Sequence, residues 1–357
     1  MKDNNISIAF LGDVSLNDTY VSIHEQGKNP FEAFCKEKVN FDYMVGNLEC
    51  MSEGSYGENE EKIPRLKTTY KTLNLLNDLG LDCVTLAHNH VYDNLLDGYI
   101  KTKSFLKSNN ITSLGAGLSK QEAMLPNCIV INDISICMLN YVTKDTNPKI
   151  PIGSGVYVNT FDEKKIVADI LKFKSCNDYV VLLFHWGGGH EGGFYPERYQ
   201  MELSKRFIDH GADLIIGGHP HTIQPYEVYR GKHIFYSLGN FCFSDIDRFN
   251  YEVNQKRGME SIAVEVLFNK NNYDVNIIPL NSESHQVRVD PSVLRRLKFR
   301  SKIFYVMKKM RFLHWAYHYY HKYAFPVYYY LFGNNRNPIT QLRNIKSEKI
   351  KLYLFGR

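Results

Sequence analysis

Two histidines one residue apart, His219 and His221, follow the apolar run Ala212-Asp213-Leu214-Ile215-Ile216, which ends in Gly217 and Gly218. A buried strand that stops in glycines can turn sharply, with no Cβ in the way. Loops at the carboxyl ends of such strands are where α/β folds place their chemistry, so imidazoles there are candidate metal ligands. Pro220 stiffens the spacer between them. A His-x-His pair alone more often belongs to an ordinary core or surface. This pair has company. Ile6-Ser7-Ile8-Ala9-Phe10-Leu11 leads to Gly12-Asp13, and Phe41-Asp42-Tyr43-Met44-Val45 leads to Gly46-Asn47-Leu48-Glu49. Cys83-Val84-Thr85-Leu86-Ala87 leads to His88-Asn89-His90, and Tyr179-Val180-Val181-Leu182-Leu183-Phe184 leads to His185-Trp186-Gly187. Singly, an Asp or Asn after a strand is a turn or capping residue. Jointly, the five strand ends predict convergence on one rim of one sheet, around a shared metal.

The donor types set the chemistry. Carboxylate, amide oxygen and imidazole without cysteine suit Mn, Fe or Zn and argue against a structural thiolate zinc. About six candidate ligands exceed what one catalytic zinc takes, so two divalent transition-metal ions are expected. Two ions about 3.5–4 Å apart can hold a water, lower its pKa and clamp the oxygens of an in-line displacement at phosphorus. A leaving group needs an acid nearby. His90, beside Asn89, has a reference pKa suited to that task. The expected reaction is metal-assisted hydrolysis of a phosphoester.

Strands and helices alternate around these runs. Helices are expected over residues 72–79, 95–108, 162–173 and 196–210, the last with Pro196 in its first turn and its end at Gly211. Residues 50–66 read as a polar loop beside Glu49, placed to act as a lid. Residues 224–280 read as short antiparallel strands, with Arg230-Gly231 as a hairpin turn.

In their order along the chain these motifs resemble the CapA family, a branch of the calcineurin-like metallophosphoesterases named for capsule and poly-γ-glutamate synthesis. The resemblance rests on Gly12-Asp13, Asn47-Leu48-Glu49, Ala87-His88-Asn89-His90 with Asp93, and His185-Trp186-Gly187. It continues through Gly218-His219-Pro220-His221 with Gln224 and Tyr236-Ser237-Leu238-Gly239-Asn240-Phe241, covering residues 5–245. It implies an α/β (α+β) fold, a two-sheet β-sandwich flanked by helices, with a dinuclear site at the strand ends. The ligands it implies are Asp13, Glu49, Asn89, His185, His219 and His221, with His90 toward the phosphate. Asp13 is expected to serve catalysis as well as metal binding. Substrate contacts are expected from His88, Asp93, Lys67, Glu191 and Asn240. Three features depart from the usual pattern. Asp13 is followed by Val14-Ser15 where the wider superfamily has Asp-x-His, a loss that CapA-like chains share, and His88 replaces an asparagine. Gly187-Gly188-Gly189-His190-Glu191 replaces a glutamate two residues after His-Trp-Gly, so either Glu191 or His190 stands in or the role is absent. The function implied is a hydrolase of capsule, exopolysaccharide or poly-γ-glutamate synthesis, acting on a phosphorylated or polymer-linked substrate. A second reading is a non-enzymatic accessory or scaffold of a membrane-bound polymer synthase.

At 357 residues, with 44% hydrophobic and 23% charged residues, the chain can bury a full core and carry an appendage. The division expected is a catalytic domain over residues 1–285 and a basic, aromatic, helical extension over 286–357. The seven cysteines are scattered without C-x-x-C and read as free thiols of a reducing compartment. With no apolar leader after Met1, a cytoplasmic protein is expected, peripheral at the inner face of the cell membrane. Charge is divided unevenly. Residues 291–357 hold fifteen Lys/Arg against one acid, Glu348, whereas residues 1–290 hold twenty-eight against thirty-seven. Thirteen aromatics crowd residues 303–332. Basic, Tyr/Trp-rich helices suit an anionic membrane surface, so residues 291–332 are expected to meet such a surface or a polymer-synthase complex. The competing expectation is packing on the catalytic domain. Nucleic acid is disfavoured, because the basic charge is confined to the tail and no nucleic-acid-binding motif is present.

Overall fold

Along β1 (Ile6–Val14) side chains divide by the period of two that a strand imposes. Ile6, Ile8 and Phe10 enter one apolar layer, while Ala9 and Leu11 enter another. The same happens on a later strand, Tyr179–His185, where Val181 and Leu183 face inward and Val180, Leu182 and Phe184 face outward. Both strands are therefore apolar on both faces, as expected for sheets covered on both sides. The computed structural model describes residues 5–37, 41–188, 191–244, 258–325 and 327–328.

The first part of the chain adds β2 (Tyr43–Leu48), β3 (Cys83–Thr85), β4 (Thr112–Leu114), β5 (Asn127–Ile131), β6 (Ile134–Val142) and β7 (Tyr179–His185). After these come β8 (Leu214–Gly218), β9 (Tyr226–Tyr229), β10 (Lys232–Phe235), β11 (Asn240–Cys242), β12 (Glu260–Phe268), β13 (Tyr273–Asn281) and β14 (Arg288–Val289). One sheet has the order β14-β13-β12-β1-β2-β3-β4, with β11 also pairing β1; the other has the order β9-β10-β8-β7-β6-β5. Strands β1 to β4 run parallel, and so do β6, β7, β8 and β10. A shared apolar layer lies between the sheets, with separate layers on their outer faces. The fold is the expected α/β sandwich flanked by helices.

Helix α1 (Leu95–Ser108) covers the outer face of the first sheet through Tyr99, Phe105 and Leu106. Helices α2 (Glu163–Lys174) and α3 (Arg198–Asp209) cover the second through Ile166, Ile170 and Phe207. Asp162 caps α2, accepting from the Lys165 N–H at 3.1 Å. Glu197 and Gln200 form a capping box at the start of α3, so Pro196 precedes the cap and does not occupy the first turn. Arg230 and Gly231 take left-handed φ values of 50° and 74°, which closes the β9–β10 hairpin. The region 224–280 is not wholly antiparallel, because β11 pairs parallel with β1. The polar stretch after Glu49 is fastened down. Met51–Ser52 pairs with Lys67–Thr68, and Asn94 Nδ2 donates to the Met51 and Leu66 carbonyls.

The tail begins with α4 (Ser292–Lys309) and α5 (Arg311–Tyr319). Val293 and Leu297 of α4 enter the layer between the sheets, and Phe304 and Met307 enter the outer layer of the second sheet. Each such burial contributes roughly 1.5–3 kcal/mol. Arg296 and Arg300 of the same helix pair with Glu260. Residues 326 and 329–332 of the expected interaction segment lie outside the described residues. One expectation is corrected by the cysteines. Cys128 and Cys137, directly opposite in the β5–β6 ladder with Cα atoms 4.0 Å apart, form a disulfide, while Cys35, Cys50, Cys83, Cys176 and Cys242 remain thiols.

Candidate metal centre

The strand ends meet, but across two sheets and not on the rim of one. Asp13 near the end of β1, Glu49 after β2 and Asn89 in the loop after β3 come from the first sheet; His185 ending β7 and His219 and His221 after β8 come from the second. The carboxyl ends of both sheets open on the same side. Register brings Asp13 opposite Asn47 on one flank and Asn240 on the other, with a ladder irregularity at Asp13 on both. Irregularities of this kind re-aim side chains beside active sites. Gly218 supplies the close approach: a Cβ there would sit 2.6 Å from Asp13 Oδ1. His219 and His221 hold φ values of 97° and 56°, a strained conformation for non-glycine residues that persists only where the surroundings enforce it.

Oxygen and nitrogen atoms of Asp13, Glu49 and His185 lie within 4.8 Å of one another, and so do those of Glu49, His219 and His221. Glu49 belongs to both groups. His185 Nε2 is 3.5 Å from Glu49 Oε1, 3.1 Å from His219 Nδ1 and 2.8 Å from Asn89 Oδ1. His221 Nδ1 is 2.9 Å from Asn240 Oδ1, which leaves its Nε2 directed at Glu49 Oε1, 3.9 Å away. Such outer partners fix the ring orientation of a metal-binding histidine. Asn47 Nδ2 donates to Asp13 Oδ1 at 2.8 Å, and Asn47 Oδ1 accepts from the Thr85 hydroxyl.

The electrostatics suit a cation. Burial works against ionisation of Asp13, but the His221 imidazole, the Asn47 amide and the His219 N–H outweigh it and hold the carboxyl below its ordinary range. Burial, and then the charge of Asp13, push Glu49 well above the carboxylate range. His221 is disfavoured as a cation by burial, yet the Glu49 and Asp13 carboxylates raise it to about 10. Burial and neighbouring imidazoles hold His185 well below the usual histidine value, and burial leads the lowering of His219 to about 3. Glu49 Oε2 and His219 Nε2 are buried without a hydrogen-bond partner among the described residues. The side-chain oxygen of Asn89, turned toward His185 and Glu49, faces only acceptors. Orphaned buried atoms and a carboxylate–amide–imidazole donor set are what a divalent cation satisfies.

Next to the cluster His90 Nδ1 lies 2.6 Å from Asp93 Oδ2, which also accepts from the Leu66 N–H. Asp93 thus orients His90 and is itself buried. His88 is also fully buried; its Nδ1 accepts from the His90 N–H and its ring packs edge-on to His185. It supports the cluster from behind. Lys67 is half exposed and ion-paired to Glu58, away from the ligands. The lysine at the site is Lys62, buried, with Nζ 3.0 Å from the Asn89 carbonyl. No periodicity in residues 50–66 marks it out. Glu191 is exposed beside the cluster, where its charge acts on Glu49, Lys62, His219 and His221; His190 lies outside the described residues. Asn240 serves His221.

These features define an α/β sandwich protein with a buried carboxylate–imidazole centre at the strand ends. The sequence matches the family described as bacterial capsule synthesis protein PGA_cap over residues 7–245, and the chain belongs to that family. It is 29% identical over 256 residues to the PGA biosynthesis protein CapA of Bacillus subtilis (strain 168), covering 68% of this chain and 64% of that one. It is 27% identical over 216 residues to the capsule biosynthesis protein CapA of Bacillus anthracis, covering 57% and 51%. The chain therefore spans less than two thirds of the length of either relative. A probable polyglutamine synthesis accessory protein of Mycobacterium tuberculosis is 26% identical over 167 residues, 43% of each chain. Among solved structures, a 5'-nucleotidase precursor from Thermus thermophilus aligns with a TM-score of 0.43 at 13% identity, covering 85% of this chain and 60% of that one.

Proposed function

We propose that this chain is a metal-dependent phosphoesterase-like hydrolase serving capsule, exopolysaccharide or poly-γ-glutamate synthesis. The observation that carries the reading is the convergence of Asp13, Glu49, Asn89, His185, His219 and His221, with Glu49 shared between two ligand groups. Those six side chains would hold two divalent ions, Mn, Fe or Zn. When bound, such ions polarise phosphoryl oxygens and acidify water.

The chain's own residues supply the rest. Asn240 and Asn47 hold His221 and Asp13 in place, so the donor atoms need little reorganisation. The Asp93 carboxyl, raised to about 8, is protonated at neutral pH and donates to Nδ1 of His90, so the ring proton sits on Nε2 and can pass to the leaving oxygen as Nδ1 takes up the Asp93 proton. Nε2 lies on the cluster side, 3.3 Å from the side-chain amide of Asn89. Lys62 holds the Asn89 backbone carbonyl from below. Burial of the ligands excludes bulk water, which strengthens every charge interaction there.

The test is turnover of metal-reconstituted protein on phosphomonoesters, phosphodiesters and lipid-linked phosphates, with His90→Ala as control. Hydrolysis that depends on metal and on His90 supports the reading. A metal-loaded chain that hydrolyses none of them favours the accessory role that the mycobacterial relative's name carries.

A further inference from the structure

Helix α5 and the π-helical turn that continues it, Tyr320–Ala324, present two faces of different chemistry. The inner face binds the domain. His314 Nε2 is 2.9 Å from the Pro196 carbonyl, and the Tyr317 hydroxyl accepts the Phe194 N–H at 2.7 Å. The outer face carries Phe312, Trp315, Tyr319 and Tyr323, three and then four residues apart. Their ring centroids follow one another at 6.1, 5.2 and 5.1 Å, an unbroken aromatic ladder along the helix. Phe312 is 70% exposed and Trp315 58%, and Phe299, Tyr305 and Met310 nearby are also exposed. A contiguous apolar ridge of this kind marks an interaction surface.

The charge carried by this part of the chain has one sign. Residues 291–328 contain nine Lys/Arg and no Asp or Glu; Arg296, Arg300 and Lys308 pair with Glu260 and Glu227 of the domain, while Lys309, Arg311 and Lys322 are exposed. We propose that the outer face of α5 docks on an anionic lipid bilayer, with its rings at headgroup depth and its basic side chains against lipid phosphates. Tyr and Trp favour that interfacial layer, and each basic residue near it contributes about 1 kcal/mol. Among the described residues no helix is long and apolar enough to cross a membrane, and the contact proposed is with the bilayer surface. Residues 1–290, with their acidic excess, are repelled by the same surface, which orients the molecule tail-side down. A convex ridge fits a planar interface, whereas a single-stranded nucleic acid needs a groove to follow its backbone.

The chain's two tryptophans make the test direct, because Trp186 is fully buried and Trp315 exposed. Full-length protein is titrated with vesicles of phosphatidylcholine alone or mixed with phosphatidylglycerol. The expected result is a blue shift of emission and co-sedimentation with the mixed vesicles, both lost with phosphatidylcholine alone and reduced at high salt. The double variant Phe312→Glu/Tyr319→Glu should lose both signals while keeping wild-type metal content. Three results overturn the proposal. One is no shift with anionic vesicles. Another is a concentration-dependent shift without vesicles, which means a second copy covers it. The third is a shift with a single-stranded oligonucleotide but not with vesicles. Unimpaired vesicle binding by the double variant overturns it equally.

Discussion

Nδ1 of His90 stands 2.6 Å from Oδ2 of Asp93, three residues on, with both side chains buried. Burial raises the Asp93 carboxyl to about 8 and, with the charges of Lys62 and His221, holds the His90 imidazole well below its usual range. The hydrogen bond therefore decides which ring nitrogen of His90 carries the proton. A histidine so held can act on a substrate through only its other nitrogen.

His90→Ala should keep the metal and lower turnover by about 10²–10⁴-fold, the usual size of an acid–base contribution. Asp93→Asn keeps a hydrogen-bond donor for Nδ1 but has no proton to pass on. Turnover should fall, with metal content unchanged. Loss of metal from His90→Ala, measured by elemental analysis, would reassign His90 as a ligand.

Gly218→Ala places a Cβ 2.6 Å from Asp13 Oδ1, closer than real contacts allow. Asp13 must shift, so metal content should fall in this variant while circular dichroism reports an intact fold. Full metal retention would mean that Asp13 is not a ligand.

Asp178 tests the fold away from the site. It accepts from the Ser135 N–H and hydroxyl, each at 2.8 Å, and from Lys270 Nζ at 2.9 Å, and these contacts depress its pKa to about 2. The folded value lies below the ordinary 3.8, so its stabilisation is present above about pH 4 and is lost as pH falls through 2. Asp178→Asn should be less stable than wild type at neutral pH. The gap between their urea midpoints should close from pH 4 to pH 2, and a gap constant with pH would contradict the assignment.

Much of this architecture was legible because glycine-terminated apolar runs are strong signals. Each of the five strand ends is where its run predicts, and α1 covers its expected residues 95–108. Division of the ligands between two sheets was not legible from the runs, since periodicity gives strand faces but not partners. Lys62 sits in a polar stretch with no repeat, so nothing local separates it from Lys67. Asn47 was visible beside Glu49, yet its bond to Asp13 depends on parallel register across two strands. In α4 the basic residues masked an apolar stripe at Val293, Leu297, Phe304 and Met307, whose helical spacing is plain once the packing is known. Cys128 and Cys137 meet because a tight turn sets Ile131 against Ile134, a pairing that scattered cysteine positions do not announce.

The central claim is a two-ion centre built by six side chains, and metal stoichiometry tests it most directly. After incubation with Mn²⁺, Fe²⁺ or Zn²⁺ and removal of excess, elemental analysis of wild-type protein should approach two ions per chain, through the oxygen and nitrogen donors of Asp13, Glu49, Asn89, His185, His219 and His221. Asp13→Ala and His219→Ala should each lower that number with the fold retained. Wild-type protein that holds no transition metal under all three conditions would contradict the account.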